Sequence, residues 1–289
     1  MTSLPAGAAR RCQSFLNPYH SAQYFSPEIQ QEVGALGIGS GTESFGAVYL
    51  AGRAAAFGRV GPGAVTASFF SFSHELISRH IPAVWDIASP EDVLAARLRA
   101  ADAQLRRLLG EETVASPEMA EAAELALRAT EACDRSMRTL YAAHADQPVP
   151  DAPHLALWHA TTLLREYRGD GHLLVLVRAG IDPVEAILTH SATGKGMSHK
   201  WLLRTRGWSE EDLAAGRERL LERGLLNADG TLSKAGVALR EELEEETDHL
   251  DRAPYEHLGA AGVARLTELT QGYTTTLVQG GAFPSDLRG

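Results

Sequence analysis

The same tripeptide opens three stretches of helical periodicity: Ser26-Pro27-Glu28, Ser89-Pro90-Glu91 and Ser116-Pro117-Glu118. Each part has a mechanical role. The Ser hydroxyl accepts from a free amide of the first turn, and Pro stands where no amide is needed. The carboxylate meets the positive end of the helix dipole. Ser209-Glu210-Glu211-Asp212 is a variant with an acid at the capping-box position. Apolar residues follow at helical intervals: Val93, Leu94, Leu98, Leu105, Leu108 and Leu109 after one start, Leu213, Leu220, Leu221 and Leu225 after another. Strand signals are confined to Gly224–Ser233, where Asp229-Gly230 between short apolar pairs predicts a tight hairpin. Such a chain folds as a mainly α protein, with residues 1 to about 25 expected as a loose N-terminal arm.

The 289 residues, 44% of them apolar, suffice for one large domain or two smaller ones. Lys and Arg number 27 against 37 Asp and Glu, a formal charge of −10, which opposes binding to DNA or an anionic membrane. Cys12 and Cys133 cannot make a disulfide framework and suit a reducing compartment. The most apolar segment, His172–Val177, meets Arg178 at once and is far too short to span a bilayer. The opening residues lack the apolar core of a signal peptide. The expectation is a soluble, cytoplasmic protein with no membrane partner.

Aligning Ser89 with Ser209 pairs Glu91 with Glu211, Asp92 with Asp212, Ala95 with Ala215, Arg97 with Arg217, Arg99 with Arg219 and Leu105 with Leu225. Pro62 and Pro183, and Arg53 and Arg168, lie similar distances apart. This predicts a duplication: an arm over 1–25, a first helical half over 26–146 and a second half over 147–289, joined near Gln147–Pro153 and related by a pseudo-two-fold.

From Leu188 to Leu250 the order is helix, turn, helix, hairpin, helix. Gly207-Trp208 closes the turn, Glu222-Arg223-Gly224-Leu225-Leu226 ends the second helix, and Leu232-Ser233-Lys234-Ala235-Gly236 starts the last. This resembles the winged helix of MarR-like proteins, with Ser233 where those usually have Thr. The whole chain also resembles an actinobacterial helix-turn-helix family of unknown function. That likeness is carried by Ile81-Pro82-Ala83-Val84-Trp85, Ala88-Ser89-Pro90-Glu91-Asp92 and Leu163–His172. The resemblance implies tandem winged-helix-like halves. In a DNA reader the Ser209–Arg223 helix would enter the major groove. It begins with three acids, the hairpin has no basic residue, and Lys195–Glu256 holds 10 Lys or Arg against 14 Asp or Glu. DNA binding therefore does not follow from the fold.

The densest polar cluster is Arg165-Glu166-Tyr167-Arg168-Gly169-Asp170-Gly171-His172. A helix starting near His154 should stop at Gly169, gathering Arg168, Asp170 and His172 at one tip, where Asp170 could orient His172 as acid or base. His159 shares a helix face with Glu166. Glu43, Tyr49 and Arg53 follow at helical intervals, and Arg53, mirroring Arg168, could meet it on one anionic ligand. Phe69, Phe70 and Phe72, with Tyr19 and Tyr24, could wall a pocket between the halves. Structural alternatives stand beside each: Asp170 as a helix cap, the arginines in ion pairs, the aromatics as core. Gly37–Thr42 lacks the strand and lysine of a phosphate loop and reads as a helix connection. The histidines show no metal spacing, and no motif implies a cofactor or metal. The expectation is a winged-helix scaffold that binds, with or without transforming, a small anionic or aromatic molecule at the seam. The alternative is a MarR-like regulator contacting DNA through Arg204, Arg206, Arg217 and Arg219.

Overall fold

A computed structural model describes residues 4–39 and 44–287; Ser40, Gly41, Thr42 and Glu43 of the sequence reading lie outside the described residues. The order is α1 (Ala8–Ser21), α2 (Pro27–Gly34), α3 (Ser44–Ala54), α4 (Pro62–Phe69), α5 (His74–His80), α6 (Val84–Ile87), α7 (Pro90–Leu109), α8 (Glu111–Val114) and α9 (Pro117–Thr130). It continues with α10 (Thr139–Ala145), α11 (Pro153–Arg178), α12 (Pro183–Ser191), α13 (His199–Arg206), α14 (Glu210–Glu222), α15 (Lys234–Leu250) and α16 (Arg252–Gln279). The caps act as their sequence implies: Ser26, Ser89, Ser116 and Ser209 accept from Ile29, Asp92, Met119 and Asp212 amides. Ser209 and Asp212 complete a capping box. An isolated β-bridge joins Leu226 and Leu232 across the Asp229-Gly230 turn. The matching stretch of the first half is helical to Leu109 and carries no such bridge.

Three packed regions organise the chain. α1, α9, α16, the end of α7 and the first half of α11 share a core that includes Leu16, Leu105, Met119, Leu157, Tyr255 and Leu277. This core draws on residues from both sides of the Gln147–Pro153 joint. α2 to α6 and the start of α7 enclose a second core around Val33, Leu50, Ile77 and Trp85. The end of α11, with α12, α14 and α15, forms the third around Val184, Leu213, Leu220 and Leu243.

Two expectations are corrected. Residues 8–25 are not a loose arm. Cys12, Leu16 and Tyr19 are buried, Tyr255 donates to Gln13, and Thr274 donates to the Phe15 carbonyl. The segment has no capping signature, so nothing local announced a helix that packing stabilises. Nor does α11 stop at Gly169; it runs on to Arg178. Gly171 is there for close approach: a Cβ would lie 2.0 Å from Arg138 Nη1, which donates to the Tyr167 carbonyl at 2.5 Å. A glycine that reads locally as a stop serves here to let another side chain cross the helix.

A cleft between body and helix-turn-helix

Continuity of α11 decides where its charged residues point. Residues two apart on a helix lie about 200° apart around it. Glu166 and Asp170 face one way, Arg168 and His172 the other. Asp170 accepts from the Leu140 and Tyr141 amides at 3.0 Å each, and burial pushes its carboxyl up to about 6. It is the cap of α10 and does not touch His172. His172 Nδ1 lies 2.8 Å from Thr247 Oγ1, and burial holds its imidazole down to about 4, against the pull of Glu244. Arg168 is held by Asp248 (2.8 Å), Glu244 (3.1 Å) and Asp251 (3.4 Å), which locks α11 to α15. His159 is buried, pushed down to about 4 by desolvation and Arg97.

Arg53 does not meet Arg168. It donates to Glu166 at 3.1 Å and to the Tyr49 hydroxyl at 3.4 Å, and lies over the Phe69 ring. Arg165 also pairs with Glu166. Burial would raise the Glu166 carboxyl, but Arg165 and Arg53 outweigh it and hold it well below the usual range. Tyr49 obeys the same balance: burial pushes up, Arg53, Arg206 and Arg165 pull down, and the phenol ends below its ordinary value.

A half-enclosed cleft of about 740 Å³ opens between this cluster and the third core. One wall is a stripe of α11, Arg165, His172 and Leu176, on one face by helical spacing. The facing wall belongs to α12 and α13, including Ile187, Trp201 and Arg206, and Arg240 enters from α15. Phe25, Phe45, Tyr49, Trp201 and Phe283 make a continuous aromatic surface, with ring centroids 5.7 to 6.1 Å apart for Phe25–Phe283, Phe25–Trp201, Phe45–Trp201 and Phe45–Tyr49. Phe70 also lines it with φ +48°, a conformation that costs a bulky residue about 1–3 kcal/mol.

The walls are fastened at both ends. Gly207 (φ +74°) lies so close to α5 that a Cβ would come within 2.4 Å of Leu76 Cβ. Trp208 Nε1 donates to the Ser71 carbonyl at 2.9 Å, and Ser73 N donates to the Arg206 carbonyl. At the other end Trp201 Nε1 and Lys200 donate to Asp286.

The cleft is lined by Arg165, Arg206, Arg240, Lys195, His172 and His190 and, among the described residues, by no Asp or Glu. Arg206 lies 4.3 Å over the Phe72 ring and donates to Thr205 and Met197, with no carboxylate partner among the described residues. Arg240 is 7% exposed; Nη2 donates to Glu244 at 3.1 Å, while Nε and Nη1 find no hydrogen-bond partner among the described residues.

Of the residues expected at a site, Tyr49, Phe70 and His172 reach the cleft. Arg53, Phe69 and Phe72 support it from behind, and Arg168, Asp170 and His159 lie elsewhere. Tyr24 lines it, whereas Tyr19 is core. Sequence reasoning missed Arg240, Lys195, Phe45 and Phe283, and placed Arg206 on a DNA face. No local signal marks Arg240, which directly precedes an acidic run.

The outer side of the helix-turn-helix differs. Glu210, Glu211, Asp212, Glu218 and Glu222 of α14 are exposed. Arg219 is tied to Asp182 at 2.6 Å and Arg223 to Glu185 at 2.6 Å. Arg204 lies over the Trp201 ring, and Arg217 stands beside Gly230. Among the described residues no group of His, Cys, Asp or Glu could hold a metal, and no helix is long and apolar enough to cross a membrane.

The fold is therefore mainly helical, and α11, α12, α13 and α15 line a cationic, aromatic cleft. The chain belongs to a helix-turn-helix family, whose model matches residues 9–284. That span takes in nearly all of the cleft lining. No curated protein and no solved structure matches the chain.

Proposed function

We propose that the cleft binds a small organic anion with an aromatic or otherwise apolar body, on a winged-helix scaffold put to that use. One observation carries the reading: in a chain of net charge −10, a cleft of about 740 Å³ is lined by three arginines, a lysine and two histidines and, among the described residues, by no carboxylate. A buried guanidinium with unpartnered nitrogens is costly unless something accepts from it, and Arg240 is in that position. The cavity's size suits a small ligand, and the aromatic wall supplies a surface for a planar body. Arg206 and Arg240 take the negative group, while Phe45, Tyr49 and Trp201 hold the ring. The proposal includes duplication of residues 26–146 and 147–289, supported by matched caps: Ser89 Oγ meets Asp92 Oδ2 at 2.7 Å, and Ser209 Oγ meets Asp212 Oδ2 at 3.0 Å.

The test compares naphthalene-1-sulfonate with the neutral naphthalene-1-methanol by calorimetry and thermal shift. The sulfonate binds and raises Tm, and the alcohol binds at least about tenfold more weakly, a difference of about 1.4 kcal/mol. Arg240→Met removes that preference without losing the fold. Equal binding of the two probes, or binding of neither, defeats the reading.

A second reading, a MarR-like regulator with the cleft as its sensor, draws on the family and on α12 and α13 forming a cleft wall. A ligand there would touch the helix-turn-helix directly. Against it stand the exposed acids of α14 and the turning of Arg206 into the cleft rather than outward.

A further inference from the structure

Tyr24 and Tyr49 border the cleft and also a second, much smaller void of about 10 Å³, lined in addition by Gln23, Ile29, Val48, Gly52 and Arg97. Arg97, from α7, is 2% exposed. Its Nε lies 3.4 Å from Gln23 Oε1, its guanidinium sits 5.1 Å over the Trp158 ring, and its Nη2 has no partner among the described residues.

A guanidinium cannot escape burial by losing its proton, so it needs a counter-charge. Burial pushes the Arg97 guanidinium down; Tyr24 and then Glu166 favour its charge, and Arg53 and Arg165 oppose it. Glu166 already accepts from both of those arginines. The histidines nearby add no charge at neutral pH, since burial and Arg97 hold His144 down to about 3 and His159 to about 4. One buried and two partly buried guanidinium groups thus share one carboxylate. Tyr49 accepts from Arg53, which leaves its own O–H as a donor.

We propose that the void is a halide site, occupied by a chloride ion that accepts from the Arg97 guanidinium and from the Tyr49 hydroxyl. Its size admits one small sphere and excludes carboxylate, phosphate or sulfate. Water would meet the hydrogen-bonding need of Nη2 but would leave the charge uncompensated. The site shares Tyr24 and Tyr49 with the cleft but needs no ligand there.

The test is thermal unfolding of the full chain in sodium chloride and in sodium gluconate at equal ionic strength, which separates chloride binding from screening. Chloride raises Tm by about 2–4 °C over gluconate, and Arg97→Met abolishes the difference. Crystals grown in bromide show an anomalous peak beside Arg97, a measurement that stands even if the variant fails to fold. Superimposable melting curves in the two salts, or no anomalous peak, overturn the proposal and leave water in the void.

Discussion

Helices α11 and α14 carry charge in opposite ways. On α11, Glu166 and Asp170 are buried and Arg165, Arg168 and His172 half-buried, each held by a named partner. On α14, five acids and two arginines are all exposed, and the five acids outnumber the arginines without a cluster of bases opposite. The net charge of −10 is therefore not spread evenly. On α14 water solvates the charges cheaply, whereas on α11 removal of both signs from water is offset by a partner. Overall charge weakens the case for DNA on the outer face but says nothing about an inner cleft of opposite sign.

The comparison breaks most readily at Glu166. Glu166→Gln leaves Arg53 and Arg165 buried against a neutral amide, and should cost about 3–5 kcal/mol of stability in urea unfolding. A loss below about 1 kcal/mol would mean that the α11 charges are no more interdependent than surface charges.

Asp251, the innermost partner of Arg168, gives a pH test of the same contrast. Burial pushes its carboxyl up to about 7 despite Arg168, well above the ordinary value of 3.8. The folded chain keeps this proton between about pH 4 and 7, where the unfolded chain has lost it. The associated stability is full below about pH 4 and disappears as pH rises through 7. Across that window wild type should lose on the order of 2–4 kcal/mol relative to Asp251→Asn, read from urea unfolding at a series of pH values. Parallel pH curves would remove Asp251 from the account.

The smallest effect on stability belongs to α14. Glu210→Lys with Glu211→Lys should change it by less than about 1 kcal/mol, because both side chains are exposed and only the helix-dipole interaction and the exposed Glu210–His199 contact are lost. In a gel shift at low salt, wild type should leave duplex DNA unshifted and the double variant should retard it. Wild-type binding that falls steeply with salt would restore the regulator reading and place its contact surface off the acidic face.

Much of the local structure was legible in residue order. The Ser caps act on their own helices within one turn, so Ser26, Ser89, Ser116 and Ser209 needed no tertiary knowledge. Asp229-Gly230 likewise announced the turn that brings Leu226 to Leu232. Gly169 and Gly171 misled for an instructive reason. Their helix-ending tendency is worth about 1 kcal/mol each, and the packing of a 26-residue helix through two cores exceeds it. That one misplaced end put Asp170 beside His172 when they face opposite ways. α1 was missed because its stability comes from α11 and α16 rather than from its own caps.

The residue order alone determined an α protein, the start points of its capped helices, the hairpin turn and the acidic outer face of α14, since these depend on neighbours a turn away or on exposure of charged runs. Which arginines converge was decided only in three dimensions. Arg165, Arg206 and Arg240 come from three helices separated by up to 75 residues, and they share one cleft because packing of α11 against α15 and docking of Gly207 against α5 bring them there. Burial turns an ordinary charge into one that demands a partner, and burial is a property of the fold.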